Sequence, residues 1–377
     1  MNALEAEPVV LGNPVPWFRA KTVFGAAIDL HVCAGRWVVL AFLASPADAS
    51  AGAHTEARLA ALLRLAAGKS DDHIIIYAIF AAPPPGLAAL QPHAGPVMKF
   101  IADYEGAIAR LFAAGGSPRT IVLDPMLRAV ANVSCEPREE HDRVVGQFLA
   151  ALPPVDQSAG VAMTAPALIL PRVFETELCA NLVRLFELVG GSDSGFLVER
   201  GGKPEILIDH AKKSRRDMVI TAPDLRAVIR ERVVKRVLPA IEMYFQFRVT
   251  HMDRYLIARY DAESGGRFFR HRDNMSPGVE HRRFALSLNL NADFEGCDLI
   301  FPEFGRRTYR PPAGGAIVFS CGALHEVTPI SRGRRYAFLP FLYGEADAAK
   351  CQENDALLRG IGVHYAVAEH SLATQGK

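Results

Sequence analysis

FFRHRDN, residues Phe268–Asn274, sets His271 and Asp273 two positions apart. Read as the end of a strand, this stretch sends side chains i and i+2 to the same face, so an imidazole and a carboxylate meet at one point. His325 opens the strand-like run that continues through Glu326–Ile330 and adds a second imidazole. Two ring nitrogens and one carboxylate oxygen on one face leave the remaining coordination positions open, which suits a non-haem Fe(II) centre.

The triplet alone is not specific in a chain with 12 histidines, and a second one stands at His251-Met252-Asp253. His251 just precedes a run predicted as a strand, Tyr255–Tyr260, and is read as a turn or surface residue. The residues around His271 and His325 separate the two triplets. Arg335 lies ten positions after His325 on the next predicted strand, where a buried guanidinium can grip a carboxylate through two parallel hydrogen bonds. Tyr260, on the strand before His271, offers a hydroxyl to the same ligand. Pro311-Pro312-Ala313-Gly314-Gly315 turns the chain into the run Ala316–Ser320, which leads to His325.

Working outward, short runs at Tyr255–Tyr260, Phe268–His271, Arg283–Asn289, Asp298–Phe301, Ala316–Ser320, Glu326–Ile330 and Tyr336–Leu342 are separated by Gly, Pro, Asn and Asp. That pattern predicts a β-sandwich or barrel. Helices are predicted ahead of it at Glu175–Val189 and Pro223–Met243. Toward the N-terminus, WVVLAFL (Trp37–Leu43) and HIIIYAIF (His73–Phe80) read as buried strands of a parallel sheet. TEARLAALLRLAA (Thr55–Ala67) reads as a helix, Val97–Ala102 and Glu105–Ala113 as short helical pieces, and Thr120–Leu123 with Ala129–Val133 as a strand pair. Strands alternating with helices predict an α/β domain. The expected organisation is an α/β domain over 9–150, a Pro- and Gly-rich linker over 151–166, a catalytic domain over 167–347 and a tail over 348–377.

The segments FFRHRDN, FALSLNLNADFEGCDLIFPEFG, PPAGGAIVFS and HEVTPISRGRRYAFLPFLYGE make Tyr255–Glu345 resemble the Fe(II)/2-oxoglutarate oxygenases, especially the prolyl 4-hydroxylase-like branch. The resemblance implies an α+β double-stranded β-helix (jelly-roll) domain. It implies His271, Asp273 and His325 as iron ligands and as the catalytic set, Arg335 as partner of the 2-oxoglutarate carboxylate, and Tyr260 as a further contact. It also implies a dioxygenase that hydroxylates a substrate while 2-oxoglutarate becomes succinate and CO₂, with ascorbate as a family reductant. Cys297 occupies a place where such proteins often have glycine and is not read as a ligand.

LGNPVPWF, GRWVVLAFLAS, FIADYEGAIARLF and SPRTIVLDP make residues 9–135 resemble a peroxiredoxin-like, thioredoxin-fold domain. A peroxidase of that kind needs a thiolate at the helix N-terminus after the first core strand. Here the segment reads SPADASAGAHTEAR, with no cysteine between Cys33 and Cys135. No peroxidase activity is expected, and Arg119 is at most a remnant of an activating arginine. The domain is read as a binding or dimerising module, with a homodimer as one outcome.

Composition excludes some function classes. With 42 basic and 41 acidic residues the net charge is +1, so no global field draws nucleic acid or an anionic membrane. Six scattered cysteines without a CxxC pair favour free thiols in a reducing compartment, and the acidic start MNALEAEPVV is not of signal-peptide type; a cytoplasmic protein is expected. Lys212-Lys213-Ser214-Arg215-Arg216-Asp217, after the Gly201-Gly202 turn, is read as a solvated charged loop, with a mobile active-site cover as the alternative. Glu280-His281-Arg282-Arg283 is a candidate for the site entrance. The substrate, protein or small molecule, is unidentified. The competing function is a non-catalytic binding protein that responds to metal and 2-oxoglutarate through the degenerate N-terminal domain.

Overall fold

The computed structural model describes residues 9–43, 49–84, 86–114, 118–200, 203–359 and 371–372. The acidic N-terminus, part of the SPADAS segment, the Gly201-Gly202 turn and most of the C-terminal tail lie outside the described residues. The chain divides into two compact units, Met1–Thr164 with Pro302–Arg306, and Ala165–Phe301 with Arg307–Lys377. No helix among the described residues is long and apolar enough to cross a membrane.

In the first unit, Trp37–Leu43 and Ile74–Phe80 are buried at every position, as unbroken runs of apolar residues demand. They pair in parallel from Trp37↔Ile74 to Leu43↔Phe80. Met98–Ala102 adds a parallel neighbour and Arg119–Leu123 an antiparallel one, so the seven-stranded sheet is mixed rather than purely parallel. The helical piece expected at Val97–Ala102 is a strand: Phe100 and Ile101 are buried against the sheet, and pairing with Ile76–Phe80 satisfies the backbone. The helices Ala49–Ala66 and Arg138–Ala150 contribute Leu62, Val145 and Leu149 to the core. Within the stretch read as a linker, Trp37 Nε1 donates to the Pro153 carbonyl, and Val155 lies in this core.

In the second unit, helix Thr176–Val189 buries Leu178, Leu182 and Phe186 at four-residue spacing, one face of a 3.6-residue period. The single helix expected over Pro223–Met243 is two, Pro223–Arg236 and Leu238–Phe245. Pro239, which has no N–H to donate, falls in the first turn of the second. These helices and the inner faces of the strands share one core, including Val173, Ile229, Val233, Ile257, Leu288 and Phe338.

The jelly-roll expectation is overturned. The strands of this unit form a ten-stranded sheet, a five-stranded sheet and a two-stranded one, and none closes among the described residues. The main path of the larger sheet runs His251–Asp253, Phe341–Tyr343, Phe284–Asn289, Ile330–Phe338, Leu256–Asp261, Arg216–Val219, Ser192–Asp193. Its two end strands do not pair with each other, and a barrel needs one continuous ladder. The smaller sheet runs Lys213–Ser214, Arg267–His271, His325–Val327, Leu299–Ile300, Thr308–Tyr309.

Two further expectations are corrected. His251-Met252-Asp253 is not a turn or surface segment but a buried strand paired with Phe341–Tyr343, and Asp253 is fully buried. Nor is Lys212–Asp217 a solvated loop. Lys213, Ser214 and Arg215 are buried, and the segment supplies strands to both sheets. The turn Pro312–Gly315 does lead into Ala316–Ser320; Gly314 sits at φ +75° where a Cβ would collide with the Phe174 carbonyl.

Candidate metal centre

His271 ends the strand Arg267–His271, and His325 begins the adjacent strand directly opposite it. The ladder is irregular between Phe268 and His271, which brings the chain round to Asp273 two residues beyond the strand. Asp273 N–H donates to the Cys321 carbonyl, which anchors the carboxylate-bearing residue to the turn before His325. One ligand atom from each of His271, Asp273 and His325 lies within 4.8 Å of the others. The Asp273 oxygens approach His271 Nε2 at 3.4 Å and His325 Nε2 at 3.3 Å.

The second ring nitrogens decide what the first ones can do. His271 Nδ1 is 2.8 Å from the Phe269 carbonyl and His325 Nδ1 is 3.1 Å from the Ala323 carbonyl. A carbonyl only accepts, so Nδ1 carries the hydrogen and Nε2 keeps its lone pair for a ligand. Burial, and then His271, lower the pKa of His325 to about 4, so its ring is neutral at physiological pH. Burial works against ionisation of Asp273, but His325, His271 and Arg282 outweigh it and hold the carboxyl well below the usual range. Two imidazoles presenting Nε2 lone pairs and one anion, converging on a point, are a donor set that fits Fe(II).

These residues line a cavity of about 610 Å³ that also takes in Tyr260 and Arg335. Arg335 is 2% exposed, with Nε donating to Asn289 Oδ1 at 2.9 Å and Nη2 to Ser287 Oγ at 2.8 Å. Its Nη1 lies 3.9 Å from Cys297 Sγ. All these partners are neutral, and a buried cation held only by neutral groups fits a ligand that brings its own carboxylate. Cys297 has φ +58°, the left-handed backbone that favours glycine. Tyr260 is the strand partner of Arg335, and Asp261 of Arg334; the guanidinium of Arg335 lies 5.5 Å from the Tyr260 ring centre. Arg334, pointing the other way, pairs with Asp261 at 3.0 Å. The basic cluster is thereby split between the cavity and the outside.

The other wall comes from Lys213–Asp217, part of the segment read from sequence as a solvated loop with an active-site cover as the alternative. Arg215 donates to the Tyr260 hydroxyl at 3.3 Å and to Asp217 at 2.7 Å. Lys213 Nζ donates to the Gly195 carbonyl at 2.6 Å, and burial pushes its pKa well down. Lys213, Arg215 and Asp217 all line the cavity, at the two-residue period of a strand, and that alternation was the available signal. Arg282, from the tetrad read as an entrance, lines the cavity too, while His281 is fully buried 3.8 Å from Asp253.

Residues 255–343 match the sequence model of the 2OG-Fe(II) oxygenase superfamily. Over 139 residues the chain is 28% identical to a PKHD-type hydroxylase of Paracoccus denitrificans, a match covering 34% of this chain and 60% of that relative. Over 55 residues it is 40% identical to a PKHD-type hydroxylase of Synechococcus, covering 14% and 25%. The chain thus spans less than two thirds of the length of these relatives. A prolyl-4-hydroxylase structure from Pseudomonas putida aligns over 52% of this chain and 98% of its own, with 19% identity and a TM-score of 0.37. The match over residues 255–343, together with the converging imidazoles and carboxylate, supports a 2OG-Fe(II) oxygenase-like domain in the C-terminal unit, with a donor set consistent with Fe(II).

Proposed function

We propose that this protein is an Fe(II)- and 2-oxoglutarate-dependent dioxygenase of the prolyl 4-hydroxylase-like kind, hydroxylating an unidentified substrate such as a peptidyl side chain. The observation that carries the reading is the pairing, in one cavity, of the His271, Asp273 and His325 donors with a buried Arg335 held by the neutral groups of Asn289 and Ser287. His271, Asp273 and His325 hold the metal. Arg335 fixes the far carboxylate of 2-oxoglutarate, with the Tyr260 ring packed beside the guanidinium. Bound together, Fe(II) and 2-oxoglutarate let O₂ be split between succinate, formed with release of CO₂, and a hydroxyl group on the substrate. The chain itself keeps the His325 imidazole neutral, keeps Asp273 ionised and gathers these groups in one cavity.

The first unit is read as a peroxiredoxin-like module that works by binding rather than by peroxide reduction. Its two cysteines support this. Cys33 is buried 2.8 Å from the Tyr77 hydroxyl, and burial pushes the Cys135 thiol up to about 11. Neither is the exposed thiolate that peroxide reduction needs.

The test needs no substrate. Anaerobic addition of Fe(II) and 2-oxoglutarate should give the visible charge-transfer band of the chelate, and His325→Ala should abolish it. Folded wild-type protein without a band would overturn the proposal.

A further inference from the structure

The first unit contains a cavity of about 230 Å³ with no part in the oxygenase site. One wall is apolar, made by Phe42 and Leu43 of the strand Trp37–Leu43, Leu62 and Leu65 of helix Ala49–Ala66, and Val145 of helix Arg138–Ala150. The other end is polar and built from buried groups: Arg58 is 6% exposed, Thr120 1% and His141 6%.

The polar end has a defined order. His141 Nδ1 faces Asp142 Oδ1 at 2.9 Å and its Nε2 faces Thr120 Oγ1 at 2.9 Å. With the hydrogen on Nδ1 given to the carboxylate, Nε2 accepts from the Thr120 hydroxyl, and the ring is locked in place. Arg58 is different. Nη2 donates to the Cys135 carbonyl, while Nε is buried with no partner. No carboxylate pairs with Arg58 among the described residues. A buried guanidinium without a paired carboxylate is costly unless a ligand supplies the counter-charge. The Cys135 thiol stays protonated and adds no negative charge, the Asp142 carboxylate in the lining is engaged by His141 Nδ1, and the exposed Arg64 adds a second positive charge.

We propose that this cavity is a second ligand site, taking a small amphipathic carboxylate whose anionic head meets Arg58 and whose apolar body lies along Phe42, Leu62, Leu65 and Val145. The volume is below the ~300–1,000 Å³ of clefts that enclose drug-sized ligands, which restricts the occupant to a compact molecule. The site would make the first unit a sensor or carrier of a small organic acid. This inference is independent of the oxygenase reading.

Benzoate is the probe, with benzamide as its uncharged isostere, titrated calorimetrically into the full chain. Benzoate should bind saturably, at least about tenfold more tightly than benzamide, which corresponds to about 1.4 kcal/mol. Arg335→Ala should leave benzoate binding unchanged, which separates this site from any carboxylate site in the second unit. Arg58→Met should weaken it at least tenfold. Should that variant fail to fold, Ala61→Phe, which fills the cavity and keeps the arginine, should block binding instead. Absence of saturable binding, equal affinity for benzamide, loss in Arg335→Ala, or full binding in Arg58→Met or Ala61→Phe would each overturn the proposal.

Discussion

Tyr260 and Arg335 are directly opposed on adjacent antiparallel strands, with the guanidinium 5.5 Å from the ring centre and 2% of Arg335 exposed. The contact fixes the arginine fork before any ligand arrives. Arg335→Ala should therefore raise the 2-oxoglutarate concentration needed to form the chelate band by two orders of magnitude or more. Loss of one partner of a buried, hydrogen-bonded charge pair costs about 2–5 kcal/mol. Fe(II) binding should persist, because Arg335 is not among the metal donors. Equal 2-oxoglutarate affinity in the mutant would remove Arg335 from the co-substrate site.

Asp273→Asn keeps the shape of the side chain but removes the anion from the donor set. Iron retained after desalting should fall by more than the ~10–100-fold typical of losing an outer-shell partner. Metal analysis of the two proteins, purified side by side, reads this directly. Comparable iron content would show that the metal sits elsewhere.

Asp253 carries a pH prediction at a carboxylate that is not one of the candidate metal donors. Burial opposes its ionisation, but His281, Arg282 and Arg254 hold its pKa down to about 2. Its unfolded value is about 3.9. A depressed folded pKa means stability that is present above pH ~4 and lost as pH falls through about 2. Asp253→Asn should cost about 3–5 kcal/mol at neutral pH, by stranding buried cations. The gap between mutant and wild type, measured by urea unfolding, should narrow from pH 4 toward pH 2. A gap independent of pH would show that the charge is not what matters.

Metal-free protein should leave added hydrogen peroxide unconsumed. The Cys33 and Cys135 thiols are buried, and that of Cys135 is raised to about 11. Stoichiometric loss of peroxide with oxidation of either cysteine would contradict the binding-module reading of the first unit.

The candidate donors are legible in the sequence because His271 and Asp273 stand two positions apart, although Asp273 lies beyond the strand end and meets His271 through the following turn rather than by strand alternation. The strands from Leu256 to Phe338 are legible for a similar reason, since Gly, Pro, Asn and Asp punctuate apolar runs. Charge hides the rest. Lys213, Arg215 and Asp253 are buried because partners brought in by the fold neutralise or hydrogen-bond them, and no local pattern announces that. Met98–Ala102 reads as a helix from its own residues because MKFIA carries no period long enough to choose, and only the neighbouring strand decides. The number of strands suggests closed sheets, whereas closure depends on which edges meet.

The split of Arg334 and Arg335 between outside and cavity has a consequence for how this gene can change. Substitutions at Arg334 touch its pairs with Asp261 and Glu187 and its contact with Tyr336, none of which lines the cavity. Inserting one residue between Gly333 and Arg334 would exchange the two arginines' faces and turn every following side chain of the strand over. The segment can drift in spelling but not in length.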